Sequence, residues 1–175
     1  MSQPHFLPLI IGVGNEYRGD DAVGLIVARR LKERLADSAK VLEQSGDGAA
    51  LMDAWRGADA VIIIDAVTSG AAAGAIHRFD ANTRPIPNDA FRCSTHAFGV
   101  AEAIELSRAL MRLPRSLVVY GIEGKNFGDG VGLSPEVEKA ACEAVRQVFA
   151  ETHSRPMFAN PDDPFDANAK NNHLL

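Results

Sequence analysis

The chain has 175 residues, 46% of them hydrophobic and 23% charged, which suits one domain around one core and excludes disorder over most of its length. Its net charge of −5 gives no bulk attraction for nucleic acid or an anionic membrane. No stretch approaches the roughly 18 consecutive apolar residues of a membrane span, and Met1–Pro8 lacks the basic segment and apolar run of a signal peptide. Cys93 and Cys142 form no CxxC pair and read as reduced thiols, so a cytoplasmic location is expected.

Leu7–Val13 is a short apolar run stopped by Gly12-Val13-Gly14-Asn15, which predicts a buried strand. Asp20 and Asp21 then precede Val23, Leu25, Ile26, Val27, Leu31 and Leu35, a helix with acids in its first turn and basic residues toward its end. Lys40–Gln44 alternates as a short strand, and Gly48–Trp55 predicts a short helix ended by Gly57. Ala60–Ala66 is the most apolar stretch and predicts a central strand. Ala75–Asp80 alternates like a half-exposed strand. The link between these two, Val67–Gly74, is too short for a crossover helix, so direct pairing would be antiparallel.

Asn82–Cys93 is a polar loop with prolines, and Ala97–Arg112 predicts a helix with Ala101, Ile104, Leu106 and Leu110 among its apolar positions. Ser116–Ile122 predicts another buried strand, followed by the glycine-rich loop Gly124–Gly132. Ser134 suits the N-cap of a last helix, with Pro135 at its first position, running to about Glu151. The order predicts an α/β fold: a three-layer α/β/α sandwich on a mostly parallel, five-stranded twisted sheet with one antiparallel strand. Residues 1–153 form the single domain in this reading. Residues 154–175, rich in Pro, Asn and Asp, are expected to form a loosely ordered tail.

Ligand sites of open parallel sheets form outside the carboxyl ends of the strands. Asp21 follows the first strand, Asp65 ends the apolar strand, and His96 precedes the third long helix. Two carboxylates and an imidazole, with room for water or substrate, suit a divalent transition metal. Each residue also has an ordinary structural reading. Asp20 or Asp21 can cap a helix, Asp65 can bind loop amides, and His96 can cap or lie on the surface. Gly12-x-Gly14 invites a dinucleotide reading, but Tyr17 stands where the third glycine is needed. Cys93 or Ser94 with His96 makes a poor nucleophilic dyad, because the residues are so close in sequence.

The segment Gly12-Val13-Gly14-Asn15-Glu16-Tyr17-Arg18-Gly19-Asp20-Asp21-Ala22-Val23-Gly24 resembles the GxGN-x4-DD-x-x-G opening of the nickel–iron hydrogenase maturation endopeptidases. Asp47-Gly48 with Leu51, Val61–Ala66, Ser94-Thr95-His96, and Gly121-Ile122-Glu123 with Leu133–Val137 resemble four further family blocks in order. The resemblance spans about residues 7–150. It implies that Asp21, Asp65 and His96 recognise nickel, with Asp21 or Asp65 as candidates for water activation. Some members carry Glu at the first of these positions, and many carry proline after the glutamate that is Glu123 here, where this chain has Gly124. It further implies that nickel is brought by the substrate, a hydrogenase large-subunit precursor, which loses a C-terminal extension. Asn15, Asp20 and Glu123 are candidates for the substrate cleft, framed by the Gly124–Gly132 and Asn82–Cys93 loops.

Two other readings compete. A peptidyl-tRNA hydrolase-like enzyme also opens on an apolar strand and a GxGN turn, but places a histidine soon after it, where this chain has acids. A non-enzymatic assembly module would keep the same three ligands and leave the precursor intact.

Overall fold

The chain runs through β1 (Leu9–Val13), a 3-10 turn (Gly19–Ala22), α1 (Val23–Leu35), β2 (Lys40–Gln44), α2 (Gly48–Ala54), β3 (Ala60–Val67), β4 (Ile76–Asp80), α3 (Val100–Ala109), β5 (Ser116–Glu123) and α4 (Pro135–Ser154). This computed structural model describes residues 7–87, 91 and 98–154. The strands form one five-stranded sheet in the order β2-β1-β3-β5-β4. Every pairing is parallel except β4 with β5.

The period-two alternation of a strand decides which layer each side chain joins. Leu9, Ile11 and Val13 of β1, Val61 and Ile63 of β3, and Leu117 and Val119 of β5 face one way, packing with Leu51 and Trp55 near α2 and with Ala101 and Ile104 of α3. The intervening Ile10, Ile62, Ile64, Val118, Tyr120 and Ile122 face the other way, against Val27 and Leu31 of α1 and Val137, Ala141 and Ala144 of α4. The result is the three-layer α/β/α sandwich that the sequence predicts. Val61, Ile62, Ile63 and Ile64 are wholly buried, and such burial stabilises by about 1.5–3 kcal/mol per side chain. That reserve lets β3 carry a buried carboxylate, Asp65, two residues before its end.

The structure departs from the sequence reading in several places. β4 does not pair with β3; β5 lies between them, and the short link carries the chain past the β5 position to the edge. The strand is antiparallel as its short connection requires, but the partner is a strand not yet formed at that point of the chain. Asp20 and Asp21 lie in the separate 3-10 turn rather than in the first turn of α1, which starts at Val23. α3 starts at Val100, where Glu102 reaches back to accept from the Gly99 amide. It ends before Met111, whose φ of 53° cannot continue a helix. The Ser134 carbonyl accepts the first helical bond of α4, from Glu138, yet its hydroxyl donates away from the helix, to Asp20.

No helix among the described residues is long and apolar enough to cross a membrane. Cys142 is an exposed free thiol, and its sulfur accepts from Arg30 Nη1 at 3.4 Å. Of the expected tail 154–175, Ser154 belongs to α4; residues 155–175, like Cys93 and His96, lie outside the described residues.

Candidate functional site

β1 has β2 on one side and β3 on the other. The chain therefore leaves the carboxyl ends of these neighbouring strands in opposite directions, which opens a crevice in a parallel sheet. A cleft of about 420 Å³ lies there, lined on the inside by Val13, Gly14, Asp21, Leu25 and Asp65. Asn15, Glu16, Arg29 and Glu43 line it as well.

Asp65 follows four wholly buried residues of β3 and lies within the strand, which the sequence reading ended at Ala66 and which runs on to Val67. It is 6% exposed, and its Oδ1 accepts from the Ala66 amide at 2.8 Å. Burial, and then the charge of Asp21, push its carboxyl up to about 8. One amide bond does not offset the loss of hydration beside a second carboxylate.

Asp21 is also buried, at 8% exposure. The approach of its turn to β1 depends on Gly14, where a Cβ would lie 1.9 Å from the Asp21 carbonyl oxygen. The φ of Gly14 is 151°, which itself favours glycine. Arg18 places Nη1 3.9 Å from Asp21 Oδ2 and donates through Nη2 to the Phe127 carbonyl at 3.4 Å.

The neighbouring Asp20 has a different occupation. It is wholly buried. Its Oδ1 accepts from the Ser134 amide at 2.7 Å. Its Oδ2 accepts from the amides of Lys125 and Asn126 and from the Ser134 hydroxyl, each at 2.8 Å. Burial alone would raise this carboxyl, but the bonds from Ser134, Asn126 and Lys125 outweigh it and the net shift is downward. Glu123 is 2% exposed and accepts from the Ser69 amide and hydroxyl and from the Gly70 amide. Asp20 and Glu123, both candidates for the substrate cleft from sequence, thus serve as internal fasteners and do not line the cleft. Asn15 does line it, and its Oδ1 also accepts from the Tyr17 amide at 3.0 Å.

Of the three residues predicted as ligands, the structure brings Asp21 and Asp65 into one cleft, while His96 lies outside the described residues. No group of three or more His, Cys, Asp or Glu side chains among the described residues is arranged to hold a metal ion.

Sequence reasoning missed the charged border of the cleft. Arg29 donates to both oxygens of Glu43 and to Glu16, with the shortest bond at 2.8 Å. The signal was helical spacing, since Leu25 and Arg29 are four apart and share a face of α1. Arg18 was missed because its role depends on the fold of the turn around it.

Comparison with known proteins gives the family and the fold. The family model for hydrogenase maturation protease matches residues 25–151. The hydrogenase 2 maturation protease of Escherichia coli is 26% identical over 155 residues, covering 87% of this chain and 94% of that protein. The hydrogenase expression/formation protein HupD of Thiocapsa roseopersicina is 26% identical over 144 residues, covering 81% of this chain; the match spans 65% of that longer protein. The solved structure of the hydrogenase maturating endopeptidase HybD from E. coli aligns with a TM-score of 0.71 and 25% identity, covering 85% of this chain and 93% of that one. With a family model covering most of its length and the same fold in its structural neighbours, the chain belongs to the hydrogenase maturation protease family.

Proposed function

We propose that the chain, a hydrogenase maturation endopeptidase, removes the C-terminal extension of a hydrogenase large-subunit precursor that already holds nickel. The observation that carries this reading is the pair of buried carboxylates, Asp21 and Asp65, in an open cleft at the switch point of the sheet. Nickel is cargo here, delivered by the precursor. Asp21, Asp65 and His96 engage it, and an open set of oxygen and nitrogen donors suits that ion. Docking on the metal holds the nearby peptide bond against the cleft, so proximity supplies part of the rate.

Water activation falls to the carboxylates. Asp21 and Asp65 are the two candidates, because both are buried carboxylates that line the cleft. A cytoplasmic setting fits this reading, since the exposed thiol of Cys142 would stay reduced there.

The test is the mass of nickel-loaded and nickel-free precursor before and after incubation with the protein. Only the loaded precursor should shorten. Unchanged mass with binding retained would make the protein an assembly module instead. Asp65→Asn and His96→Ala should each abolish shortening while circular dichroism stays unchanged; normal processing by both folded variants would remove these residues from the site.

A further inference from the structure

The 3-10 turn that carries Asp21 is bonded locally: Asp21 donates to the Arg18 carbonyl, Asn15 donates to the Asp21 carbonyl, and Val23 of α1 donates to the Asp20 carbonyl. It is also bonded to the segment between β5 and α4. Gly19 donates to the Gly130 carbonyl at 2.9 Å, Gly130 donates to the Tyr17 carbonyl at 2.9 Å, and Asp20 donates its amide to the Asn126 carbonyl at 2.8 Å. A parallel bridge joins Arg18 to Gly130. Gly19, at φ 55°, leaves no room for a Cβ, which would lie 2.6 Å from the Asn126 carbonyl oxygen. At the centre, the Asp20 side chain takes four donors from Lys125, Asn126 and Ser134. One acid thus fastens residues more than a hundred positions away in sequence to the residue just before Asp21.

We infer that Asp20 is a positioning residue for the cleavage reaction: by clamping the Lys125–Ser134 segment to the turn, it fixes where Asp21 stands relative to Asp65. It touches no substrate and acts through its neighbour. A helix cap would need only one or two acceptor bonds, whereas this carboxylate is saturated by four donors, all from another part of the chain. The inference rests on the proposed cleavage activity.

Asp20→Asn tests it. An amide keeps one acceptor oxygen and turns the other position into a donor, so at least one amide hydrogen of the clamp then faces another donor. Two quantities are measured at a temperature where circular dichroism shows the variant fully folded. One is amide hydrogen exchange at residues 19–22 and 124–134 in nickel-free protein. The other is the cleavage of nickel-loaded precursor, resolved into kcat and KM.

Exchange should quicken in both segments together. The cleavage kcat should fall roughly 10–100-fold, the scale of a misplacement near 1 Å, with KM changed less than about threefold. Ser134→Ala, which removes one of the four bonds, should show both effects in smaller measure, and it decides the matter if Asp20→Asn does not fold. A folded variant with quickened exchange and normal kcat would overturn the inference, because the clamp would then be only structural. A lowered kcat without quickened exchange would overturn it too, since Asp20 would be acting directly. If the wild-type protein leaves loaded precursor uncut, the proposed activity itself fails and takes this inference with it. If it cuts and both variants cut at its rate, only the inference fails.

Discussion

Asp65 places a carboxyl where ionisation is opposed, and this has a measurable consequence for stability. In the unfolded chain an aspartate loses its proton near the ordinary value of about 3.9; in the folded protein Asp65 keeps it until about 8. As pH rises between those values the unfolded state releases the proton and the folded state does not, so stability falls across that window and levels off above it. Asp65→Asn keeps the bond from the Ala66 amide and removes the charge. It should raise the midpoint of thermal unfolding at pH 8 by several degrees, equivalent to a few kcal/mol at about 2–4 °C each, with the gain vanishing near pH 4. Differential scanning calorimetry at the two pH values checks this; a lower midpoint at pH 8 would mean that the carboxylate is stabilised after all. The variant should thus be more stable and inactive, the usual signature of a residue kept for function. Arg29 is the contrasting case. Its ion pairs with Glu16 and Glu43 are nearly half exposed, so Arg29→Ala should cost under about 1 kcal/mol in urea unfolding.

The elements that build the site depend on backbone approaches that leave no space for a methyl group. At Gly24 of α1 a Cβ would lie 2.2 Å from the carbonyl oxygens of both Val13 and Ile64. Neither strand can yield without breaking a central pairing. Gly24→Ala should therefore destabilise by about 3 kcal/mol or more, read from the urea midpoint at constant slope; a change below about 1 kcal/mol would show that α1 can lift off the sheet. Such contacts explain what could be read in advance. The strands and their buried faces were legible because apolar runs such as Ala60–Ala66 carry a strong local signal. Asp65 stood out as an acid closing an apolar run and Asp21 as an acid following the first strand; the structure places Asp65 inside β3 and Asp21 in the 3-10 turn. The roles of Asp20 and Glu123 were not, because each is set by donors distant in the chain: Lys125 to Ser134 for the first, Ser69 and Gly70 for the second. The partner of β4 was illegible for a similar reason, since a short link fixes direction but not which strand is waiting at its end.

At the scale of the whole molecule the sheet closes only when its fourth position is filled. β5 holds β3 on one side and β4 on the other, and α4 packs on α1 across one face. A fragment ending at residue 110 lacks both, which leaves β3 as an edge and β4 without its partner. It should show no cooperative urea transition and should elute in size-exclusion chromatography as aggregates; a sharp transition would mean that the first four strands fold alone. Sheet order also bears on synthesis. Chains emerge from the ribosome N-terminus first, at about 5–20 residues per second, so β4 and the bare side of β3 wait for some forty residues' worth of translation before Ser116–Glu123 arrives to sit between them. For those few seconds the most apolar strand of the protein is a sticky edge, and a newborn chain in a crowded cell meets its greatest risk of mispairing just before the strand that closes the sheet leaves the exit tunnel.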